Sequence, residues 1–594
     1  MKKGTEIKDV MRDLGNRGFT VTTLILLLIL NISACDVVDK SPRGLITDDA
    51  VWSDQNLVES YVMDVYNQSN FSLGVAGNSM MQLSASVLGG ENTLFAPWQA
   101  PRGLAERLIT TENPLPGFMN EFRWGNIRRA NTIIEQLGTS DLNSDFVNLR
   151  TAEVRFLRAY QHFRLVKRYG GMPILTRALP LDAPTEEIMV SRNTEQEVYD
   201  FIAAEMDDII PLLPDINDVG RVNKGTALAL KSRAMLYAAS IAQYGEMQID
   251  GLLGIPSGDA QRYWLASYDA SAELINSGVY QLYNENPDPV QNFHDLFHAP
   301  IGDNSEVIFG EIFDGENIGH RFSEMGLPQG PALTWNSNFN VAYEMIEMFD
   351  FVDGTSGKIP HSEVTGQEWS SDDFFGQRDP RFRASVYYPE IDDIIGETIY
   401  FHSATLYQGE RVTSGTIEGV WPAEGPPRNR NRSGAHVRKR VDESQAFTNS
   451  TPQSTDYFVF RLGEIYLNLA EAAFYLGRTS EALDALNELR SRAGMPPHST
   501  VDREIIRQER TVELAFENHR LWDLRRWRIA VEVLDGYRMQ GLDYVYNFES
   551  GKYQISFKNP EGIARRFPPE YYYYPLGINF TSQNPNMVEN PGYN

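Results

Sequence analysis

One cysteine, Cys35, is present in 594 residues. This excludes disulfides and thiolate metal clusters, so an exported chain of this length must rely on its core alone. Positive charge is also scarce: Lys+Arg number 53 against 80 Asp+Glu, a net charge of −27. Nucleic-acid binding is dominated by neutralisation of phosphates, so such a partner is excluded. There is no glycine-rich phosphate loop, no dinucleotide fingerprint, no HExxH and no GxSxG, so no cofactor, metal or catalytic residue is expected. Long hydrophobic runs are nearly absent. The one at Val21–Leu30 falls short of the roughly 20 apolar residues that a membrane-spanning helix needs.

The place of the lone cysteine is informative. Lys2, Lys3, Lys8, Arg12 and Arg17 precede the apolar run, and Ile32-Ser33-Ala34-Cys35 follows it. A charged segment, an apolar segment and small residues before a cleavage point make a secretory signal. A small-residue box ending in Cys is, in a bacterial chain, the lipobox of a lipoprotein. Residues 1–34 are therefore expected to be removed, Cys35 to carry acyl chains, and 35–50, polar and turn-rich, to act as a tether. Acyl chains worth about 0.8 kcal/mol per buried methylene are ample for anchoring.

Beyond the tether, helical periodicity dominates two stretches. In the first, 51–280, helices are expected over Val51–Asn67, Met119–Gln136, Phe146–Arg168, Thr194–Leu212, Thr226–Tyr244 and Tyr263–Asn276. Thr194 with Glu197 forms a capping box, and Gly170-Gly171 closes the third helix. Residues 71–102, broken by Gly74, Gly77, Gly89, Gly90, Pro97 and Pro101, read as a long loop. In the second stretch, 456–594, helices are expected over Phe460–Leu476, from Thr479 or Ser480 to Ala493, and over Asp502–Asn518, followed by an extended tail. Between them, 281–455 is rich in turn residues, with strand-like pieces at Glu306–Phe313 and Arg383–Pro389. Short antiparallel helix pairs with tight turns are how tetratricopeptide arrays build a solenoid. The fold class expected is mainly α: tetratricopeptide-like helix pairs (an α–α superhelix) with a large irregular loop and short-strand ligand-binding region.

Several blocks carry a resemblance. Ala152–Leu175, with its Tyr169-Gly170-Gly171-Met172-Pro173 exit, Gly220–Ser240, Phe458–Gly477, Ala485–Pro496, Glu509–Trp527 and the tail Tyr572–Tyr593 resemble the SusD/RagB family, the surface nutrient-binding lipoproteins of Bacteroidota and relatives. The likeness covers nearly the whole mature chain. It implies a lipoprotein on the outer face of the outer membrane. Such a protein captures oligosaccharide, passes it to a SusC-type TonB-dependent transporter, and is not an enzyme. A peptide-binding member of the same family and, less simply, a surface-anchored glycoside hydrolase are the alternatives.

Sugar recognition needs flat apolar surface for ring C–H faces and planar polar groups for hydroxyls. Two clusters offer both: Glu91–Arg102, with Asn92, Phe95, Trp98 and Arg102, and Pro331–Tyr343, with Trp335, Asn336, Asn338 and Tyr343. These are the candidate ligand residues; each Trp has packing beneath a loop as its competing role. His294 and His298, four residues apart, have helical spacing for zinc but no third ligand nearby, so packing is expected. Glu509, Glu513 and Glu517 are also spaced by four, which puts them on one helix face. A structural ion-pair network is expected there rather than a glycosidase pair.

Overall fold

The computed structural model describes residues 51–72, 79–180, 182–328, 337–394, 397–399, 401–413, 432–444 and 452–593. Cys35 with its leader and tether, and Trp335 and Asn336, lie outside these residues. The chain divides into two compact units, residues 1–59 with 140–142, and residues 60–139 with 143–594; the description below concerns the second.

Its frame is a run of helices: α1 (Trp124–Leu137), α2 (Ser144–Tyr169), α3 (Glu195–Ile209), α4 (Lys224–Tyr244), α5 (Ala260–Asn276), α6 (Leu462–Tyr475), α7 (Thr479–Arg492) and α8 (Arg503–Glu513). Each packs on the next from α1 to α7, and α8 returns onto α6. The caps explain the boundaries. Asn143 accepts hydrogen bonds from the backbone amides of Asp145 and Phe146 at the start of α2. The expected capping box forms at α3, where Thr194 Oγ1 accepts from the Glu197 amide at 3.1 Å and Glu197 Oε2 from the Thr194 amide at 2.8 Å. At the end of α2 the two glycines are sterically required. A Cβ on Gly170 (φ +75°) would lie 2.9 Å from the Leu252 carbonyl, and one on Gly171 would lie 2.0 Å from the Asn193 carbonyl.

Helix α4 is the axis of the frame. It is buried around nearly its whole circumference, with Ala227, Ala229, Ala234, Ala238 and Ala239 fully covered. Small side chains let α5 approach closely, and Ser232 and Ser271 share a hydrogen bond of 2.8 Å across that contact. Helices α5 and α6 pack together although residues 277–461 separate them in sequence. The solenoid is thus interrupted, and its two halves close around the excursion.

That excursion supplies most of the strands. β1 (Asn92–Leu94), β3 (Phe339–Val341), β8 (His436–Val437) and β5 (Val386–Tyr387) form a sheet in the order β1-β3-β8-β5. A second sheet runs β4-β11-β10-β6-β7, from β4 (Glu368–Trp369), β6 (Ala404–Tyr407), β7 (Glu410–Val412), β10 (Gly541–Asn547) and β11 (Lys552–Lys558). β2 (Val307–Glu311) pairs with β9 (Tyr457–Arg461). One apolar core, including Leu94, Phe339, Phe349, Phe382, Tyr387 and Tyr544, lies beneath both larger sheets.

Three sequence expectations are corrected. Residues 79–106 are not a loop: a helix over Ser84–Leu88, every residue of it buried, leads into β1 and then a helix over Ala100–Glu106. The C-terminal region is not helical up to its tail, because β10 and β11 form an antiparallel hairpin there. Their alternation places Leu542, Tyr544, Tyr553 and Ile555 inward. Finally, α8 stops at Glu513, five residues early. Phe516 (φ 62°) and Asn518 (φ 65°) adopt left-handed backbone. The turn is held from outside: Glu91 Oε1 accepts from the Phe516 amide, and Asn518 Oδ1 accepts from the amides of Ala85 and Ser86.

Candidate functional site

The two clusters singled out in the sequence meet in space. β1 and β3 pair antiparallel, with Asn92 opposite Val341, Thr93 opposite Asn340 and Leu94 opposite Phe339. The pairing continues beyond the strands, because the Phe95 amide donates to the Asn338 carbonyl at 3.1 Å. Gln99 then braces the turn. Its Oε1 accepts from the Ala96 amide at 2.8 Å, and its Nε2 donates to Asn338 Oδ1 at 3.0 Å. Residues 240 apart in sequence are thereby fixed against each other by backbone and side chain together.

On this base Trp98 projects outward with 81% of its surface exposed, the most exposed large hydrophobic side chain among the described residues. Phe95, on the same loop, is half-buried, and the exposed Arg432 places its guanidinium carbon 4.9 Å from the Phe95 ring centroid. Arg432 is itself tied to the sheet through its amide, which donates to Asn340 Oδ1 at 2.8 Å. The accessible elements are therefore an indole, a phenyl face and a guanidinium, on a rigid sheet edge. Those are the groups that stack on sugar rings and bond their hydroxyls.

Four of the other candidates belong to the frame. Arg102 is buried and fully occupied: it donates to the carbonyls of Leu94, Phe95 and Glu561 and pairs with Glu106 at 3.0 Å. It holds the loop that presents Trp98 and has no donor directed to a ligand. Asn92 is fully buried in β1, with no partner for its side-chain amide among the described residues. Asn338 is buried and serves Gln99 and Phe95. Tyr343 is fully buried, its ring 5.2 Å from Phe557 within the apolar core. Burial follows from the strand pairing, which single-sequence reading of loop-like composition does not reveal. Arg432 and Gln99 were missed for the same reason: each acts only through a segment distant in sequence.

The histidine pair packs as expected. The rings of His294 and His298 stack at 4.1 Å, and both nitrogens of His298 face backbone carbonyls, those of His294 and Val441. Burial, then the neighbouring His298, lowers His294 to about 3. Among the described residues no group of three His, Cys, Asp or Glu side chains is placed to hold a metal.

The acidic triplet is also structural, though Glu517 reaches it from the left-handed turn and not from the α8 face. Glu513 contacts Arg381, Arg461 and Arg492; Glu509 contacts Arg381 and Arg490; Glu517 contacts Arg461 and Lys439. Glu306 joins Arg461 to Arg492, and Asp379 takes Arg381. Burial would raise the Glu513 carboxyl, but Arg492, Arg461 and Arg381 outweigh it and hold it well below the usual range. Glu509 and Glu517 are lowered in the same way against burial. A retaining or inverting glycosidase needs one carboxyl held protonated as general acid; this cluster holds all three ionised.

Residues 305–593 match the SusD family, and residues 54–236 match the family described as starch-binding, associating with outer membrane. A SusD-like protein of Bacteroides ovatus is 22% identical over 95% of both chains. The starch-binding protein SusD of Bacteroides thetaiotaomicron is 28% identical over 74% of this chain and 72% of its own. Among solved structures, a SusD-like protein of Bacteroides fragilis superposes with a TM-score of 0.74 at 24% identity, covering 93% of this chain and all of the other. The chain belongs to the SusD family.

Proposed function

We propose that this protein is a glycan-binding lipoprotein of the outer membrane. It is anchored through Cys35 with its body facing the exterior. It captures oligosaccharide on the face carried by Trp98, Phe95 and Arg432 and passes it to a SusC-type TonB-dependent transporter. It holds its cargo by contact and transforms none of it. The observation that carries the reading is the exposed Trp98 on a base made rigid by the β1–β3 pairing. An exposed indole offers a flat apolar face to a ligand, and the β1–β3 pairing with the Gln99 brace fixes the backbone that presents it. The family match and the names of the relatives support a sugar as that ligand.

Calorimetric titration of the protein with a panel of plant and algal oligosaccharides tests the proposal. Binding of at least one, weakened tenfold or more by Trp98→Ala, is expected. Binding of peptides and of no glycan would move the protein to a peptide-capturing role. Release of new reducing ends from a bound glycan would make it a hydrolase. Co-purification with a SusC-like barrel from the native membrane tests the handover.

A further inference from the structure

A second site lies inside the solenoid, away from the sheet edge that bears Trp98. A cavity of about 70 Å³, partly open to solvent, is bordered by α2, α4 and the chain around His519 and Trp522. That volume exceeds the roughly 10–15 Å³ needed for one water and has room for a tetrahedral oxyanion. Its wall carries Arg164, Lys167 and Arg168 from α2 and Arg233 from α4.

The charges there do not balance. Arg164 and Arg168 share one carboxylate, Glu121, which also takes Arg123. Arg233 is matched by Glu464. Glu517, the carboxylate on the cavity wall, is occupied by Arg461 and Lys439. Lys167 has no carboxylate at ion-pair distance among the described residues. Its Nζ rests 4.4 Å from the Trp522 ring centroid and 5.2 Å from that of Phe163. Arg525 is also without a carboxylate among the described residues; its Nη2 donates to the carbonyls of Arg168 and Tyr572, and its Nη1 has no partner among those residues. Neutral donors face the same space. Tyr160 and Tyr237 also line the cavity, and their hydroxyls make no hydrogen bond with the described residues.

Lys167 is partly buried, so withdrawing its ammonium from water works against the charge unless an anion meets it. The ring faces of Trp522 and Phe163 offset part of that cost and leave the charge unneutralised. A chain with 80 acidic residues has carboxylates in abundance, yet among the described residues none reaches ion-pair distance of Lys167, and Glu121, which attracts it from farther off, is already shared by Arg164 and Arg168. We propose that the cavity binds a small oxyanion, phosphate or sulfate, with Lys167 as its principal counter-charge and the arginines and tyrosine hydroxyls as donors. The charge environment agrees. Burial, then Arg168, Arg233 and Arg164, lower the Lys167 ammonium well below its ordinary range. Burial, then Arg233, Arg510, Arg461 and Lys167, hold His519 neutral. An anion would relieve both.

Calorimetric titration of the whole protein with inorganic phosphate, and separately with sulfate, at constant ionic strength tests the site. One saturable site is expected for at least one of them, weakened tenfold or more in Lys167→Met. In chloride buffer that variant should be at least as stable as the parent, because the surplus charge is gone; a lysine needed only for packing would give a less stable variant. Selenate soaked into crystals of the parent should appear in the cavity by anomalous scattering, and this readout decides the matter if the variant fails to fold. Absence of saturable binding of both anions, binding unchanged by Lys167→Met, or selenate located elsewhere would overturn the proposal. Glycan binding at the Trp98 face is a separate measurement, so either result can fail alone.

Discussion

The solenoid and the region inserted between α5 and α6 are built on opposite rules. In the solenoid, neighbours in sequence are neighbours in space, and α2, α3, α4 and α8 each carry a side-chain N-cap of their own. In the inserted region short strands find partners far outside it in sequence: β3 with β1, and β6 with β10. The first arrangement is local and repeats; the second is assembled only when the whole chain is in place. Their junction is the ion network, in which Glu306, Asp379, Arg381 and Lys439 from the inserted region meet Arg490 and Arg492 of α7 and Glu509 and Glu513 of α8. A buried network is weak evidence for net stability, but breaking it by removing one partner is costly. It fixes where one half sits on the other.

Breaking the junction should have the largest effect. Glu513→Gln preserves shape but leaves Arg381, Arg461 and Arg492 short of one carboxylate. Denaturant unfolding should show a loss of about 3–5 kcal/mol, and scanning calorimetry should show the single transition splitting in two. A loss below about 1 kcal/mol would mean that the halves are held by apolar contact instead.

Acid should separate the halves more gently. His294 and His436 are lowered to about 3, and His320 to about 4, chiefly by burial, all in the inserted region; in the solenoid His162 is lowered to about 4. An unfolded imidazole titrates near 6.5. Each buried neutral histidine therefore contributes stability that is complete above about pH 6.5 and is lost as pH falls towards its folded value. The loss at pH 5 is on the order of 1–2 kcal/mol per imidazole. Hydrogen exchange at pH 5 against pH 7, corrected for intrinsic rates, should show β3, β5 and β8 losing protection before α4. Equal loss in both would remove the contrast.

Within the ligand face a smaller contrast is expected. Arg102→Met strands the Leu94, Phe95 and Glu561 carbonyls and should cost about 1–3 kcal/mol of stability, with glycan affinity falling as a consequence. Trp98→Ala should leave stability within about 0.5 kcal/mol while reducing affinity tenfold or more. If both variants lowered stability alike, Trp98 would be a packing residue.

The same contrast decides what one sequence discloses. The 3.6-residue stripes of α2 and α6, the Thr194–Glu197 box and the Gly170-Gly171 exit are local chemistry, and the helices form where that chemistry places them. Two of the failures are non-local. The amphipathic pattern of α8 runs on past Glu513, but Glu91 and Asn518 form a turn that overrides it. Arg102 looked like a ligand residue because Arg beside Trp in a turn-rich segment has the right chemistry; only the third dimension supplies the carbonyls that claim its donors. The β10–β11 alternation was legible in Leu542–Tyr546 and Tyr553–Phe557 and was overlooked beside the helical blocks before it.

The side-by-side packing of α5 and α6 has a further consequence. The chain leaves the solenoid at residue 276 and returns at 462 to complete the same helix pair, so the excursion is a closed loop anchored at both feet. Loop-closure entropy grows only logarithmically, and doubling such a loop costs about 0.6 kcal/mol. Descendants of one ancestor can therefore lengthen, shorten or rewrite the segment at little thermodynamic penalty, provided that Glu306, Arg381 and Lys439 still find their charges. Diversity in what is captured then accumulates without disturbing the scaffold that presents it.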